Sequence, residues 1–397
     1  MPVSKTVRDA LEGSSMIRRL FEEGAELKKI HSAVFDFSLG NPDLDPPEAF
    51  YRTLNELARE KVKGSHGYMS NAGFFETRAA LAKKASRDQE CEIPASNIIM
   101  SAGAAGALNV IFKSILDAGD EVIVPKPYFM EYRSYVSNHG GKIVEVSTKE
   151  DFSLDLEKIE NAFGGKTKAV LINSPNNPTG SVYPRADMEK LGALLKQRGA
   201  KTKNYPYLVA DEPYREIVYS GVSVPSVFNA YSEAVVATSF SKSLSLPGER
   251  IGYIAVHPGI QNSEETLAAL VYATRVLGFV NAPALMQRIV AKLTAERVAV
   301  EVYESRRNAF MNVLDSVSMS YARSGGAFYV FAKVPARKDG SSDDREFSAC
   351  LKKHLILGVP GSGFGAPGWI RFAYCVDENI ITGSAPAFRA ALAEWTG

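Results

Sequence analysis

Five short stretches gather the groups in this chain that can do chemistry. Ser239-Phe240-Ser241-Lys242, followed by Pro247-Gly248-Glu249-Arg250, puts an amine, two hydroxyls and a guanidinium on one loop. Such a loop can hold a phosphate and aim a nucleophile, whereas an isolated Ser-x-Ser-Lys is ordinarily only a solvated charge. Asp211-Glu212-Pro213-Tyr214 ends an apolar run, which places the Asp211 carboxylate at the floor of a cleft. A partly buried carboxylate needs a cationic or strongly donating partner, and a helix cap is the competing reading. In Ser174-Pro175-Asn176-Asn177-Pro178-Thr179-Gly180, Asn177 lies between two turn signals and either serves a ligand or only shapes the turn. Ser101-Ala102-Gly103-Ala104-Ala105-Gly106 offers small side chains and free amides at a helix start. Arg371 sits in Gly368-Trp369-Ile370-Arg371-Phe372-Ala373, an alternating strand on which a buried charge requires an anionic partner, whether ligand or structural ion pair.

Four of these stretches close apolar runs, and ligands of open α/β sheets sit beyond the carboxyl ends of the strands. From residue 47 the chain switches repeatedly between helical periodicity and short β-branched runs, which is an α/β pattern. Buried strands are expected at 97–101, 121–125, 142–146, 168–173, 207–211, 234–239 and 251–256, with a helix opened by Pro46-Pro47 and running to about Lys63. They predict a large domain over 47–280 with a mostly parallel seven-stranded sheet covered by helices on both faces. Residues 1–46 are read as an N-terminal arm and the start of a smaller domain, completed by 281–397, of α+β character. That part is expected to hold one long helix over 284–317, a strand pair over 321–334, a helix over 346–354, a strand over 369–373 and a closing helix from Asp377. Arg306-Arg307 reads as part of a solvated helix face.

Composition excludes several classes. The 46 Lys and Arg against 45 Asp and Glu leave a net charge of +1, with no global pull toward nucleic acid or an anionic membrane. Cys91, Cys350 and Cys375 are scattered, and the five histidines (His31, His66, His139, His257 and His354) show no metal-ligand spacing, so neither a disulfide framework nor a metal site is expected. The N-terminus lacks the apolar core of a signal peptide, and no run reaches the length of a membrane helix. The reading is a cytoplasmic protein.

Considered jointly, Ser38-Leu39-Gly40-Asn41-Pro42-Asp43, Gly67-Tyr68, Glu76-Thr77-Arg78-Ala79-Ala80-Leu81-Ala82, Asn177-Pro178-Thr179-Gly180, Asp211-Glu212-Pro213-Tyr214, Ser239-Phe240-Ser241-Lys242 and Arg371, in that order, resemble the fold-type I pyridoxal-phosphate enzymes. The resemblance is to the aspartate aminotransferase family in its broad sense, class I/II, and it covers nearly the whole chain.

It implies a transaminase that passes the amino group of an α-amino acid to a 2-oxo acid by a ping-pong cycle, with pyridoxal 5′-phosphate as cofactor. Lys242 would be the Schiff-base lysine and proton shuttle, and Asp211 the partner of the pyridinium nitrogen. Asn177 and Tyr214 would donate to the cofactor's phenolic oxygen. Ser239, Ser241, Arg250 and the amides of Gly103, Ala104 and Ala105 would hold the phosphate. Phe129 would stack on the ring, and Tyr68 would reach the phosphate of the neighbouring subunit, so a homodimer is expected. Arg371 would grip the substrate α-carboxylate, beside Gly40 and Asn177. Where many relatives carry a hydroxyl or a lysine, Ala104 and Ala105 supply only amides, which shifts phosphate binding toward Arg250 and Tyr68.

The alternative is another reaction on the same scaffold, by a β-eliminating lyase, decarboxylase, oxidase or biosynthetic cyclase. A regulator built on an aminotransferase-like domain would need a DNA-binding module in front, and only about 40 residues precede Gly40. Ile17, Tyr132 and Arg133 are the candidates for the substrate side-chain pocket.

Overall fold

The computed structural model describes residues 33–397 and, ahead of them, residues 3, 4, 7, 8, 23, 24 and 26–31. Ile17 and much of the expected N-terminal arm lie outside the described residues. After a two-residue strand, β1 (Phe35–Asp36), come the strands of the main sheet: β2 (Ile98–Ser101), β3 (Glu121–Lys126), β4 (Lys142–Ser147), β5 (Thr167–Asn173), β6 (Tyr207–Asp211), β7 (Ala234–Ser239) and β8 (Gly252–Val256). Their spatial order is β2-β8-β7-β6-β5-β3-β4, and every pairing is parallel except the two made by β8.

The strands alternate between two apolar layers because side chains on a strand point to opposite faces with a period of two. Val170, Ile172, Leu208, Ala210 and Val236 enter one layer, with the helices Phe75–Asp88 and Arg185–Thr202. Ala169, Leu171, Val209, Val235 and Ala237 enter the other, beneath the helix Gly103–Ile115. Continuing that second set by one step puts Asn173, Asp211 and Ser239 at the carboxyl edge of three adjacent strands, on the face that carries the helix. β8 runs the other way, so its first residue, Gly252, lies between Ser101 and Ser239 at this same edge. A Cβ there would overlap the Thr238 carbonyl oxygen and stand 3.1 Å from the backbone of Gly103, so glycine lets the helix start drop onto the sheet.

The second apolar cluster is built on β9 (Tyr329–Lys333), the short strands β10 (Ile356–Leu357) and β11 (Val359–Pro360), and β12 (Trp369–Ala373), in an antiparallel sheet ordered β11-β12-β9 with β10 paired to β1. Helices Val300–Ser316, Asp344–Lys353 and Ala385–Thr396 cover it. Ile370 and Phe372 point into that cluster, whereas Arg371 lies between Val359 and Phe331 and faces the opposite way.

Several expected elements differ. The single helix over 284–317 is two, Ala284–Lys292 and Val300–Ser316. Leu293 is committed to the first core and Val298 to the second, so the chain must leave helical geometry to cross between them. Of the strand pair over 321–334 only β9 forms; Tyr321 contributes one isolated bridge to Ala332. The closing helix breaks into Glu378–Gly383 and Ala385–Thr396, where Pro386 lacks the N–H a continuous helix would need. Arg306 is not solvated: it is buried and paired to Asp43 at 2.7 Å.

Gly252→Ala should therefore lower the stability of the protein by about 1–3 kcal/mol, the usual cost of overpacking. Thermal unfolding checks this, and an unchanged midpoint would refute the packing argument.

Candidate active site

The three strand ends, the start of the helix at Gly103 and the inner face of β12 surround one cavity of about 280 Å³. Gly40, Ala104, Ala105, Phe129, Asn177, Asp211, Tyr214, Ser239, Ser241, Lys242, Arg250 and Arg371 all line it. Gly103 stands immediately behind Ala104, and a side chain on it would meet the Arg250 guanidinium at 2.9 Å. Tyr68 is not brought to this cavity; it is 94% exposed on the surface of the single chain.

Asp211 is buried at the floor. The Tyr132 hydroxyl donates to its Oδ2 at 2.5 Å, while Oδ1 is enclosed and has no hydrogen-bond partner. Burial pushes its pKa up to about 7, opposed by the Tyr132 hydrogen bond and reinforced by the neighbouring Glu212 charge. A cation at Oδ1 would reverse that shift. The carboxylate thus has one oxygen committed and one waiting for a donor.

Lys242 follows β7 on the one-turn helix Phe240–Ser243. Its Nζ donates to the Gly40 carbonyl oxygen at 2.9 Å and lies 5.2 and 5.8 Å from the ring centres of Phe328 and Tyr214. Burial pushes the amine down to about 8; the Cys375 thiol opposes this, and the Arg371 and Arg250 charges add to it. An amine with that pKa is a usable nucleophile near neutrality. A Cβ on Gly40 would overlap the Tyr329 hydroxyl, so only glycine brings this carbonyl to the lysine.

Arg371 is 2% exposed and has no carboxylate within ion-pair distance among the described residues. Its Nη1 donates to Asn177 Oδ1 at 3.0 Å and its Nη2 to the Ser38 carbonyl at 2.6 Å, and the guanidinium lies over the Tyr329 and Phe364 rings at 4.6 and 5.0 Å. Its Nε is buried without a partner. Of the two readings open for Arg371, the structural ion pair does not form among the described residues, and the charge of Glu131 acts on it only from beyond ion-pair distance. Arg250 donates to the carbonyls of Pro247 and Ala102 beside the free amides of the helix start, a second place for an anion.

Some side chains here were not foreseen. Tyr132, expected in the substrate pocket, lines the cavity, and its hydroxyl is taken up by Asp211. Arg133 turns outward, bonding the Tyr128 hydroxyl and Glu145 at 2.5 Å each. Tyr329 pairs its hydroxyl with that of Tyr214 at 2.7 Å, and Tyr135 also lines the cavity. Asn173 is a further lining residue, buried, and the strand-end rule that picked out Asp211 applies to it equally. Away from the cavity, Cys350, His354 and Glu394 bring ligand-type atoms within 4.8 Å of one another, although Glu394 is already held by Lys353 at 2.6 Å and His354 at 2.9 Å.

The cavity therefore offers an amine, an unpaired carboxylate oxygen at the floor, an anion site at a helix start and a second anion site at Arg371. Comparison with known proteins shows the family. The family model for aminotransferase class I and II matches residues 32–383. A probable aspartate/prephenate aminotransferase of Aquifex aeolicus is 32% identical over 93% of this chain and 93% of its own, and the aspartate aminotransferase of Thermotoga maritima is 31% identical over 96% and 94%. Among solved structures, an aminotransferase from Eubacterium rectale superimposes with a TM-score of 0.95 at 37% identity over 100% of both chains. Thermus thermophilus aspartate aminotransferase with maleate gives 0.87 at 28% identity over 98% of this chain and 100% of its own. The chain belongs to the class I and II aminotransferases, pyridoxal-phosphate-dependent enzymes that move amino groups between amino acids and 2-oxo acids.

Proposed function

We propose that the cavity runs a ping-pong transamination in which Lys242 is both the point of cofactor attachment and the proton carrier. The observation that carries this is the presence, in one cavity, of the Lys242 amine together with two buried polar atoms left without partners, Asp211 Oδ1 and Arg371 Nε. These fit pyridoxal 5′-phosphate and an amino acid. Asp211 would face the ring nitrogen, the helix start with Ser239, Ser241 and Arg250 the phosphate, Asn177 and Tyr214 the phenolic oxygen, and Phe129 the ring face. Bound, the cofactor supplies an aldehyde that takes up the amino group and a ring that accepts the electrons released at the substrate α-carbon.

The remaining work belongs to the protein. Arg371 holds the substrate α-carboxylate, replacing by a true ion pair what carbonyls and rings supply now. Asp211 stays ionised against a protonated ring nitrogen. Lys242 Nζ, its proton affinity lowered by enclosure, takes the α-proton and returns it to the other side of the transferred group. Aromatic walls from Phe129, Tyr132 and Tyr329 keep water from competing for that proton.

The exposed Tyr68 supports a homodimer in which this ring completes the partner's phosphate site. The packing of Met286, Ile289 and Val290 against the first core supports a large domain that extends past residue 280 to about residue 293, with the rest of the chain and the segment before residue 47 forming the smaller one. Three unpaired thiols support a reducing compartment such as the cytoplasm.

The direct test loads purified protein with pyridoxal phosphate and screens single amino acids for loss of the cofactor's visible band and its recovery on adding a 2-oxo acid. Release of ammonia without formation of pyridoxamine phosphate would overturn transamination, and Lys242→Ala should retain no cofactor after borohydride treatment.

Two further outcomes follow from the electrostatics. The neutral amine is the reactive form, so the rate at which cofactor-free protein captures pyridoxal phosphate should rise roughly tenfold per pH unit up to about pH 8 and level off above it. A profile still climbing at pH 10 would contradict the depressed pKa. Arg371→Ala should cost about 2–5 kcal/mol, roughly 30- to 5,000-fold in kcat/KM, with cofactor affinity little changed. Arg371→Lys should fall between, since one ammonium cannot reproduce the bidentate fork. Steady-state kinetics decides, and a wild-type kcat/KM in the alanine variant would remove Arg371 from the role.

A further inference from the structure

We infer that Asn173 is a positioning residue that fixes Asp211 and the Asn177–Arg371 pair relative to one another, so that one amide sets the geometry of both the cofactor's floor and the carboxylate grip. The inference rests on the function proposed above and adds a residue to it. The last register pair of β5 and β6 is Asn173 with Asp211, and beyond it the ladder ends. There the Asn173 side chain takes over. Its Nδ2 donates to the Asp211 carbonyl oxygen at 2.8 Å, where a further strand residue would have supplied a backbone N–H. Its Oδ1 accepts the backbone N–H of Asn177 at 2.7 Å.

The far half of the turn has its own clamp, because Asn176 Oδ1 accepts from Thr179 N at 3.1 Å and from Thr179 Oγ1 at 2.9 Å. Asn176 Nδ2 also reaches the Pro127 and Asn173 carbonyls, both at 3.4 Å, so the Asn173 side chain is what holds Asn177 itself to the sheet. Asn177 Oδ1 in turn accepts from Arg371. A continuous chain of hydrogen bonds thus runs from the Asp211 backbone through Asn173 and Asn177 to the guanidinium. Asn173 is 3% exposed, so neither bond is replaced by bulk water when it is lost.

The two halves of the amide can be separated. Asn173→Asp keeps the shape and the acceptor for the Asn177 N–H but removes the donor to Asp211. Asn173→Ala removes both. In the holoenzyme the aspartate variant should hold the KM for the amino acid within about twofold, lower kcat about tenfold and shift the pH titration of the cofactor's visible absorbance. The alanine variant should in addition raise both the dissociation constant for pyridoxal phosphate, measured by equilibrium dialysis, and the KM by about tenfold each. Thermal midpoints of both cofactor-free variants separate positioning from folding. Wild-type titration and affinity in both variants would overturn the inference, as would equal losses that simply follow lowered midpoints. Failure of the wild-type protein itself to bind pyridoxal phosphate would instead strike the functional reading.

Discussion

A guanidinium buried with no carboxylate in ion-pair contact among the described residues is the constraint around which this site is organised. Removing a charge from water costs several kcal/mol unless other dipoles replace the solvent. For Arg371 these are one carbonyl, one amide oxygen and the faces of two aromatic rings. Each comes from a different part of the chain: Ser38, the Asn177 turn, β9 and the 3₁₀ turn Gly361–Phe364. Packing between the two apolar clusters is thus tied to a charge that is only partly compensated, and an anionic ligand would complete the compensation.

The same desolvation acts with opposite sign on the two ionisable groups that flank the reacting position. It raises the Asp211 carboxyl to about 7 and lowers the Lys242 amine to about 8, since in each case burial disfavours the charged form. Without a ligand, both groups sit near the pH at which they change charge. A cationic ring nitrogen at Oδ1 would drive Asp211 back to the carboxylate, while on Lys242 the Cys375 thiol opposes the lowering by burial and by the positive neighbours Arg371 and Arg250. Low dielectric alone would leave the pair ambivalent, and the ligand's charge distribution decides which of them ionises.

Sheet strands announce themselves by β-branched runs with turn signals at their ends, and all seven in the main sheet were legible within a residue or two, although β4, expected to be buried, is an edge strand with only Val146 buried. So were the chemical groups at their carboxyl edge, because Asp211, Ser239 and Lys242 are polar residues where an apolar run stops. What escaped was set by partners distant in sequence. Nothing near residues 293–299 resembles a helix breaker; the break exists because Leu293 and Val298 belong to different cores. Arg306 reads as one more charge on a helix until Asp43 is placed beside it. Tyr329 is an ordinary strand aromatic until its hydroxyl meets that of Tyr214, more than one hundred residues away. Arg133 reads as a pocket residue by its position, but Glu145 on β4 draws it outward.

The segment that follows β1 explains how such distant partners act as a unit. Asp36 accepts from Ser38 N and Oγ and fixes the turn into the segment. Ala373 donates to the Phe37 carbonyl and Arg371 to the Ser38 carbonyl, both from β12. Two residues later Gly40 accepts from Lys242, and Leu44 accepts from Ser245, both on the far side of the cavity. Asp43 then returns to the second cluster through Arg306. One irregular segment of about eight residues therefore touches Arg371, Lys242, Ser245 and Arg306 in turn. Its carbonyls accept from both side chains, Ser38 from Arg371 and Gly40 from Lys242, so the two are linked through two residues of backbone rather than through charge.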